Sequence, residues 1–391
     1  MKICAIISEY NPFHAGHLFQ IQEIRRQIPD IRIVSIMSGN YVQRGEPALW
    51  DKYFRAACAV QAGGPDLVLE LPLPAALSSA EGFARGGVRL AAALGCVTHL
   101  SFGCETGTAE SLMELAALLD SDIFSTSLKH QLATGISYAQ AAEQAVRTLS
   151  PHLAPLLASP NDMLAVQYCR AIRTDCSPVQ PVAIRRTGAA HDGTPVNGIP
   201  SASFIRSLFH AGKDSEAFAL LPEPYRARCY CARRHSWHDM EGAVLPYLRR
   251  LSPEDIASLP NVSEGLENRF FAACQKAGTL SDLWEAARSR RYPLSRIRRL
   301  TLCAYLGITR ELAALPSAYV TVLAMNRNGQ HILKEMKQTC SLPVIVRPTQ
   351  ARSLTGNAAA LWNLTLRADD QFYFPAPAGT GWTCTPFRSA E

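Results

Sequence analysis

Short apolar runs, each ended by turn residues and followed by a helical pattern, dominate the first half of this sequence. The first is Ile3 to Ile7, stopped at once by Glu9 and Asn11-Pro12. A continuous apolar run of this length suits a strand buried on both faces. A helical pattern over His17–Gln27 follows it. The unit then repeats: strand Ile31–Met37, a turn at Ser38-Gly39-Asn40 and helix Asp51–Ala62; strand Asp66–Leu71 and helix Phe83–Leu94; strand His99–Phe102, closed by Gly103. Residues 109–150 read as mostly helical. Asp162–Arg173 reads as a helix capped by Asn161 or Asp162, Val179–Ile184 as a further strand, and Ser201–His210 as a helix after Pro200. Strands alternating with helices predict an α/β fold, a parallel sheet covered by helices on both faces.

A chain of 391 residues exceeds one typical core, so two domains are expected. The change in character near residue 215 sets the division at 1–215 and 216–391. Beyond it, Arg226–His238 and Arg288–Arg299 are basic and carry aromatics. Residues 319–347 read strand, helix, strand (Tyr319–Ala324, Gly329–Lys337, Leu342–Val346). The tail after Ala368, rich in Pro, Gly and Thr, reads as irregular. The second domain is therefore expected to be smaller, largely helical and α+β.

Composition narrows the class of protein. Hydrophobic residues make up 48% and charged residues 18%, which is globular rather than disordered. No apolar run reaches membrane-spanning length and the N-terminus has no secretory pattern, so a cytoplasmic protein without a membrane partner is expected. The 12 cysteines include no CxxC pair; Cys4, Cys58, Cys96, Cys169, Cys274 and Cys303 sit singly among apolar neighbours. They read as reduced core residues, with neither a metal site nor a disulfide framework. The net charge of +6 permits a polyanionic partner without requiring one.

The chemistry concentrates in the turn between the first strand and first helix, Glu9-Tyr10-Asn11-Pro12-Phe13-His14-Ala15-Gly16-His17. Ligands of open parallel sheets bind at the carboxyl ends of strands, where helix N-termini aim amides at anions. Residues three apart at a helix start can share a side, so His14 and His17 can face one ligand. Gly16 permits close backbone approach. Imidazole N–H groups can donate to phosphate oxygens as charge builds during displacement. An isolated pair of histidines at this spacing is more often a surface turn or a metal site; the strand–turn–helix context favours catalysis.

His14-Ala15-Gly16-His17 resembles the HxGH signature of the nucleotidyltransferase superfamily. The wider sequence resembles the bacterial tRNA(Met) cytidine acetate ligases. The likeness runs through Met37–Ala48, Asp66–Pro72, Phe102–Glu105, Ser159–Asp162, Arg185–Gly188 with His191-Asp192, Pro200–Arg206 and Tyr292–Arg299. It departs where Ala15 stands for Asn, where Thr187-Gly188-Ala189-Ala190-His191 stands for an Ile-Gly-Ala-Gly-Tyr-His type of run, and where Phe204 stands for a smaller residue.

The resemblance implies a Rossmann-like nucleotidyltransferase domain. It implies catalytic roles for His14 and His17, and an ATP cradle of Ile7, Ser8, Glu9, Tyr10, Asn11, Pro12, Phe13, His14, Ala15, Gly16, His17, Leu18, Phe19 and Gln20. Gly103, Asn161, Arg185 and Arg186 join as further ATP positions, with strand parity deciding between the two arginines. Ser201, Ser203 and Arg206 resemble an adenylyltransferase phosphate motif, and Gln43, Arg44 and Glu46 form a polar cluster after the second strand. Arg233, Arg234, Arg291, Arg296, Arg298 and Arg299 are the candidate tRNA contacts, since arginine grips phosphates and stacks on bases. The implied reaction joins acetate to the wobble cytidine of elongator tRNA(Met) at the expense of ATP, with Mg2+ expected on the pyrophosphate. Two rivals use the same turn. One is an adenylyltransferase acting on a small phosphate ester; the other is an RNA-binding protein that senses ATP without catalysis.

Overall fold

The computed structural model describes residues 1–175, 178–186, 199–263, 265–374 and 387–388. The Thr187–His191 run and Asp192 lie outside them. Ten strands form among the described residues: β1 (Ile3–Ser8), β2 (Arg32–Ser38), β3 (Tyr41–Val42), β4 (Glu46–Pro47), β5 (Leu67–Leu71), β6 (His99–Cys104), β7 (Gln180–Arg185), β8 (Val320–Met325), β9 (Val344–Ile345) and β10 (Phe387–Arg388). Eight of them make one sheet in the order β10-β8-β5-β2-β1-β6-β7, with β9 also beside β8. The strands β5, β2, β1, β6 and β7 run parallel. This is the expected α/β architecture. The carboxyl ends of β1, β6 and β7 therefore open on one edge, where a ligand can meet helix N-termini.

Strand parity assigns the two sheet faces. Ile3, Ala5, Val34 and Ile36 pack with Phe83, Leu90 and Leu115 in one core. Cys4, Ile6, Ile33 and Met37 pack with Ile21, Ile24 and Trp50 in another. Successive strand residues point to opposite faces, so both helical layers are anchored by the same few strands. Removing one such side chain, as in Ile36→Ala, costs about 2–5 kcal/mol. A third core draws on Tyr41, Leu73 and Leu77 and on helices from Met240 to Phe372. Cys4, Cys58, Cys169, Cys274 and Cys303 are buried free thiols; Cys96 is half-buried. No helix among the described residues is long and apolar enough to cross a membrane.

Four features differ from the sequence reading. First, β8 returns from the C-terminal part to pair antiparallel with β5. A division at residue 215 therefore cuts through the sheet: Val320–Met325, buried throughout, completes the first core from beyond that point. Second, the Pro160–Thr174 helix is capped by Ser159, whose hydroxyl accepts from Asp162 N–H at 3.3 Å, rather than by Asn161 or Asp162. Asp162 is drawn away by stronger donors on a neighbouring loop. Third, the chain after Ala368 stays helical to Tyr373, as the end of the Gly356–Tyr373 helix, because Leu361, Leu364, Ala368 and Phe372 hold its apolar stripe in the third core. Fourth, Phe387–Arg388 forms β10, parallel to β8.

Candidate active site

The turn after β1 is fixed through its backbone. Arg55, fully buried, donates to the Glu9 carbonyl as well as to those of Ser38 and Gly39. Arg206 donates to the Asn11 carbonyl at 2.7 Å. Tyr225 donates to the Phe13 carbonyl, and Leu49 N–H donates to Asn11 Oδ1 at 2.8 Å. Within this clamp Tyr10 takes φ = 44°. A non-glycine residue there costs about 1–3 kcal/mol and persists only where its surroundings over-determine it.

That clamp delivers the two histidines. The Ala15–Gln27 helix starts with His14 as its N-cap. The Gly16 N–H donates to His14 Nδ1 at 3.0 Å, and the His14 N–H donates to His17 Nδ1 at 3.2 Å. An imidazole nitrogen that accepts carries no proton, so each neutral ring bears its proton on Nε2. The rings lie together, centroids 4.0 Å apart, and His17 also stacks on Phe13 at 5.5 Å. Burial, with the nearby charges of Arg186 and Arg206, pushes the His14 pKa down to about 3. Burial, then His14 and Arg186, holds His17 well below the usual range. Both are neutral donors at physiological pH.

Both rings line a cavity of about 370 Å3, within the range of small-molecule sites. Of the expected ATP cradle, Ile7, Ser8, Glu9, Tyr10, Asn11, Gly16, Phe19 and Gln20 also line it, as do Gly103, Asn161, Arg185, Arg186, Ser201, Ser203 and Arg206. Pro12, Phe13, Ala15 and Leu18 do not. Phe13 is a core residue, Leu18 packs against that core, and Ala15 is exposed. Arg185 and Arg186 both reach the cavity: Arg185 ends β7, and the Arg186 side chain packs beside Gly103, where an added Cβ would meet its Cγ at 3.3 Å.

Other side chains shape the far wall. The Asp162 carboxylate accepts from Glu105 N–H at 2.7 Å, Thr106 N–H at 3.0 Å and Thr106 Oγ1 at 2.6 Å. Asn161 donates to the Glu105 carboxylate. The helix start thus fixes the loop after β6. Phe83, Phe102, Leu164 and Tyr168 add apolar lining, the Phe102 and Tyr168 rings stacking at 5.7 Å. Sequence reasoning missed this wall, since each residue reads alone as core. Ser201 caps the Ala202–His210 helix by accepting from Phe204 N–H at 3.1 Å, at the cavity edge.

Several candidate RNA arginines have intramolecular partners. Arg234 pairs with Asp214 at 2.6 Å and Arg296 donates to the Asn261 carbonyl at 2.6 Å. Arg298 pairs with Glu46 and lies over the Trp284 ring at 4.6 Å; Arg299 donates to the Gln43 carbonyl at 3.1 Å. Arg291 is exposed and Arg233 half-buried. Among the described residues no group of three or more His, Cys, Asp or Glu could hold a metal.

A family model described as HIGH Nucleotidyl Transferase matches residues 1–380. The tRNA(Met) cytidine acetate ligase of Alkaliphilus metalliredigens is 35% identical, covering 95% of this chain and 94% of the relative. The chain belongs to this ligase family. The Syntrophomonas wolfei member is 34% identical over 99% of both chains. Apo Thermotoga maritima TmcAL superposes with a TM-score of 0.91 at 28% identity, over 99% of both chains. The same protein bound with alpha-thio ATP gives 0.88 at 27% identity over the full length of both.

Proposed function

We propose that this protein is an ATP-dependent ligase that forms acetyl-adenylate and passes the acetyl group to N4 of the wobble cytidine of elongator tRNA(Met). One observation carries the reading: two neutral imidazoles, each with Nδ1 engaged and its proton on Nε2, line a nucleotide-sized cavity at the tip of β1. A triphosphate needs such donors where charge grows. The name shared by the relatives and the ATP analogue bound to a structural neighbour support the same reading.

The chemistry follows from the reactants. Cytosine's exocyclic amine is a weak nucleophile, and acetate a poor electrophile. An acetate oxygen attacks the α-phosphorus, the bond to the bridging oxygen breaks, and pyrophosphate leaves. The amine nitrogen then attacks the acetyl carbonyl, the bond to AMP breaks, and the nitrogen loses a proton. His14 and His17 donate from Nε2 to phosphate oxygens as negative charge builds. The Ala15–Gln27 helix N-terminus adds its dipole. Arg186 and Arg206 supply positive charge without protonating the rings. No carboxylate cluster among the described residues would hold a metal, so Mg2+ would come with ATP itself and would offset the charge of the departing pyrophosphate.

The test is incubation with labelled acetate, ATP and elongator tRNA(Met), followed by nucleoside analysis. The expected products are N4-acetylcytidine, AMP and pyrophosphate. A dinucleotide formed with a phosphate ester favours the adenylyltransferase, and ATP binding without pyrophosphate release favours the sensor.

A further inference from the structure

The β3–β4 hairpin lies between the ATP cavity and the Leu294–Leu306 helix, and is gripped from both sides. On the cavity side, Gln43 N–H donates to Glu9 Oε1 at 2.8 Å, and Gln43 and Arg44 line the cavity. On the helix side, Trp237 Nε1 donates to the Gly45 carbonyl at 3.1 Å, and Arg299 donates to that of Gln43 at 3.1 Å. Gly45 has φ = 76°, and a Cβ there would strike the Arg298–Arg299 backbone. The hairpin thus rides directly on the helix.

One side chain bridges the two sides. Glu46 Oε1 pairs with Arg298 on the Leu294–Leu306 helix, and Glu46 Oε2 faces Arg206 at 3.8 Å. Arg206 in turn donates to the Asn11 carbonyl of the histidine turn. The Arg298 contact is a charge-assisted hydrogen bond, which orients a guanidinium strongly, whereas at 3.8 Å the Arg206 contact is a Coulombic attraction that holds the guanidinium near Glu46. We propose that Glu46 is a positioning residue, which aims Arg206 at the histidine turn and ties the geometry of the ATP cavity to the Arg298 helix. Glu46 is not itself among the residues lining the cavity. The inference rests on the ATP site of the ligase reading, but not on acetate or tRNA being the other substrates.

The test uses the full chain and ATP alone, in isothermal titration calorimetry, without acetate or tRNA. Glu46→Gln keeps the volume and removes the charge; the ATP Kd is expected to rise about tenfold, a typical coupling size. Glu46→Asp should fall between the parent and Glu46→Gln. Arg298→Gln should give a similar rise, and the double variant no more than either single one, because neighbours in one network are not additive. Loss of folded protein would lower the number of sites titrated, not the affinity of the remainder, so a purely structural role leaves Kd in place. A Kd for Glu46→Gln within twofold of the parent overturns the proposal, as do single effects that multiply in the double variant. Absence of N4-acetylcytidine in the ligase assay would defeat the ligase reading while leaving this titration readable.

Discussion

The histidine turn and the Lys52–Glu70–Asp369 cluster are both polar groups sunk in apolar surroundings, yet they use their hydrogen-bonding capacity in opposite ways. In the cluster, Lys52 Nζ donates to Glu70 and to Asp369, each at 2.7 Å, and Asn40 donates to Asp369 at 2.8 Å. Burial alone would lower the Lys52 pKa; Asp369 and Glu70 outweigh it and raise it. The charges face one another and join β5 and the Lys52–Gln61 helix to the Gly356–Tyr373 helix. In the turn, each ring accepts a backbone N–H at Nδ1 and keeps its Nε2 proton beside a cavity. A buried polar cluster closed on itself is architecture. One with a donor in reserve beside a cavity is equipped for a ligand.

The largest expected effect lies in the closed cluster. Lys52→Ala leaves two buried carboxyl groups facing one another and should destabilise the fold by about 3–5 kcal/mol in urea unfolding. A loss under 1 kcal/mol would show that the cluster is solvated and the contrast false. Next come the rings. His14→Ala or His17→Ala should lower acetate-dependent ATP–pyrophosphate exchange about 100- to 1,000-fold, as loss of an oxyanion donor does. Unchanged exchange would remove them from the chemistry.

A third effect concerns pH and sharpens the contrast. The unfolded chain protonates His14 near its ordinary value, the folded chain only near 3. The folded state binds fewer protons between those values, so His14 contributes stability above about pH 6.5 that declines as pH falls toward 3. The urea midpoint should therefore drop from pH 7 to pH 5, and parent and His14→Gln should differ in that slope; identical slopes would mean that His14 is not buried neutral. The smallest effect belongs to the wall: Gly103→Ala presses on the Arg186 side chain and should raise the KM for ATP about threefold, the Arg186 stem yielding in part. A KM equal to the parent's would place the nucleotide away from Gly103.

Much of the parallel sheet was legible because its signals are local. Ile3–Ile7 is a continuous apolar run, Arg32–Ser38 and Leu67–Leu71 are mostly apolar strands, and Ser201 sits where a capping residue belongs. The turn was legible for the same reason: Gly16 and both histidines lie within one short segment. What escaped depends on partners distant in sequence. Asp369 meets Lys52 317 positions away, and β8 reaches β5 from the far end of the chain. Arg298 and Arg299 read as a basic surface, because nothing local shows that Glu46 and the Gln43 carbonyl wait for them. Asp162 read as a cap, although its carboxylate holds the Glu105–Thr106 loop. Periodicity reports which face is apolar; it does not report what lies opposite.

The most direct test is nitrogen NMR on protein with 15N-labelled histidine, titrated from pH 5 to pH 8 with and without ATP. His14 and His17 are expected to stay neutral with the proton on Nε2 throughout, and to shift when ATP binds. A ring that titrates near 6.5, carries its proton on Nδ1, or ignores ATP would contradict the donor role on which the mechanism depends.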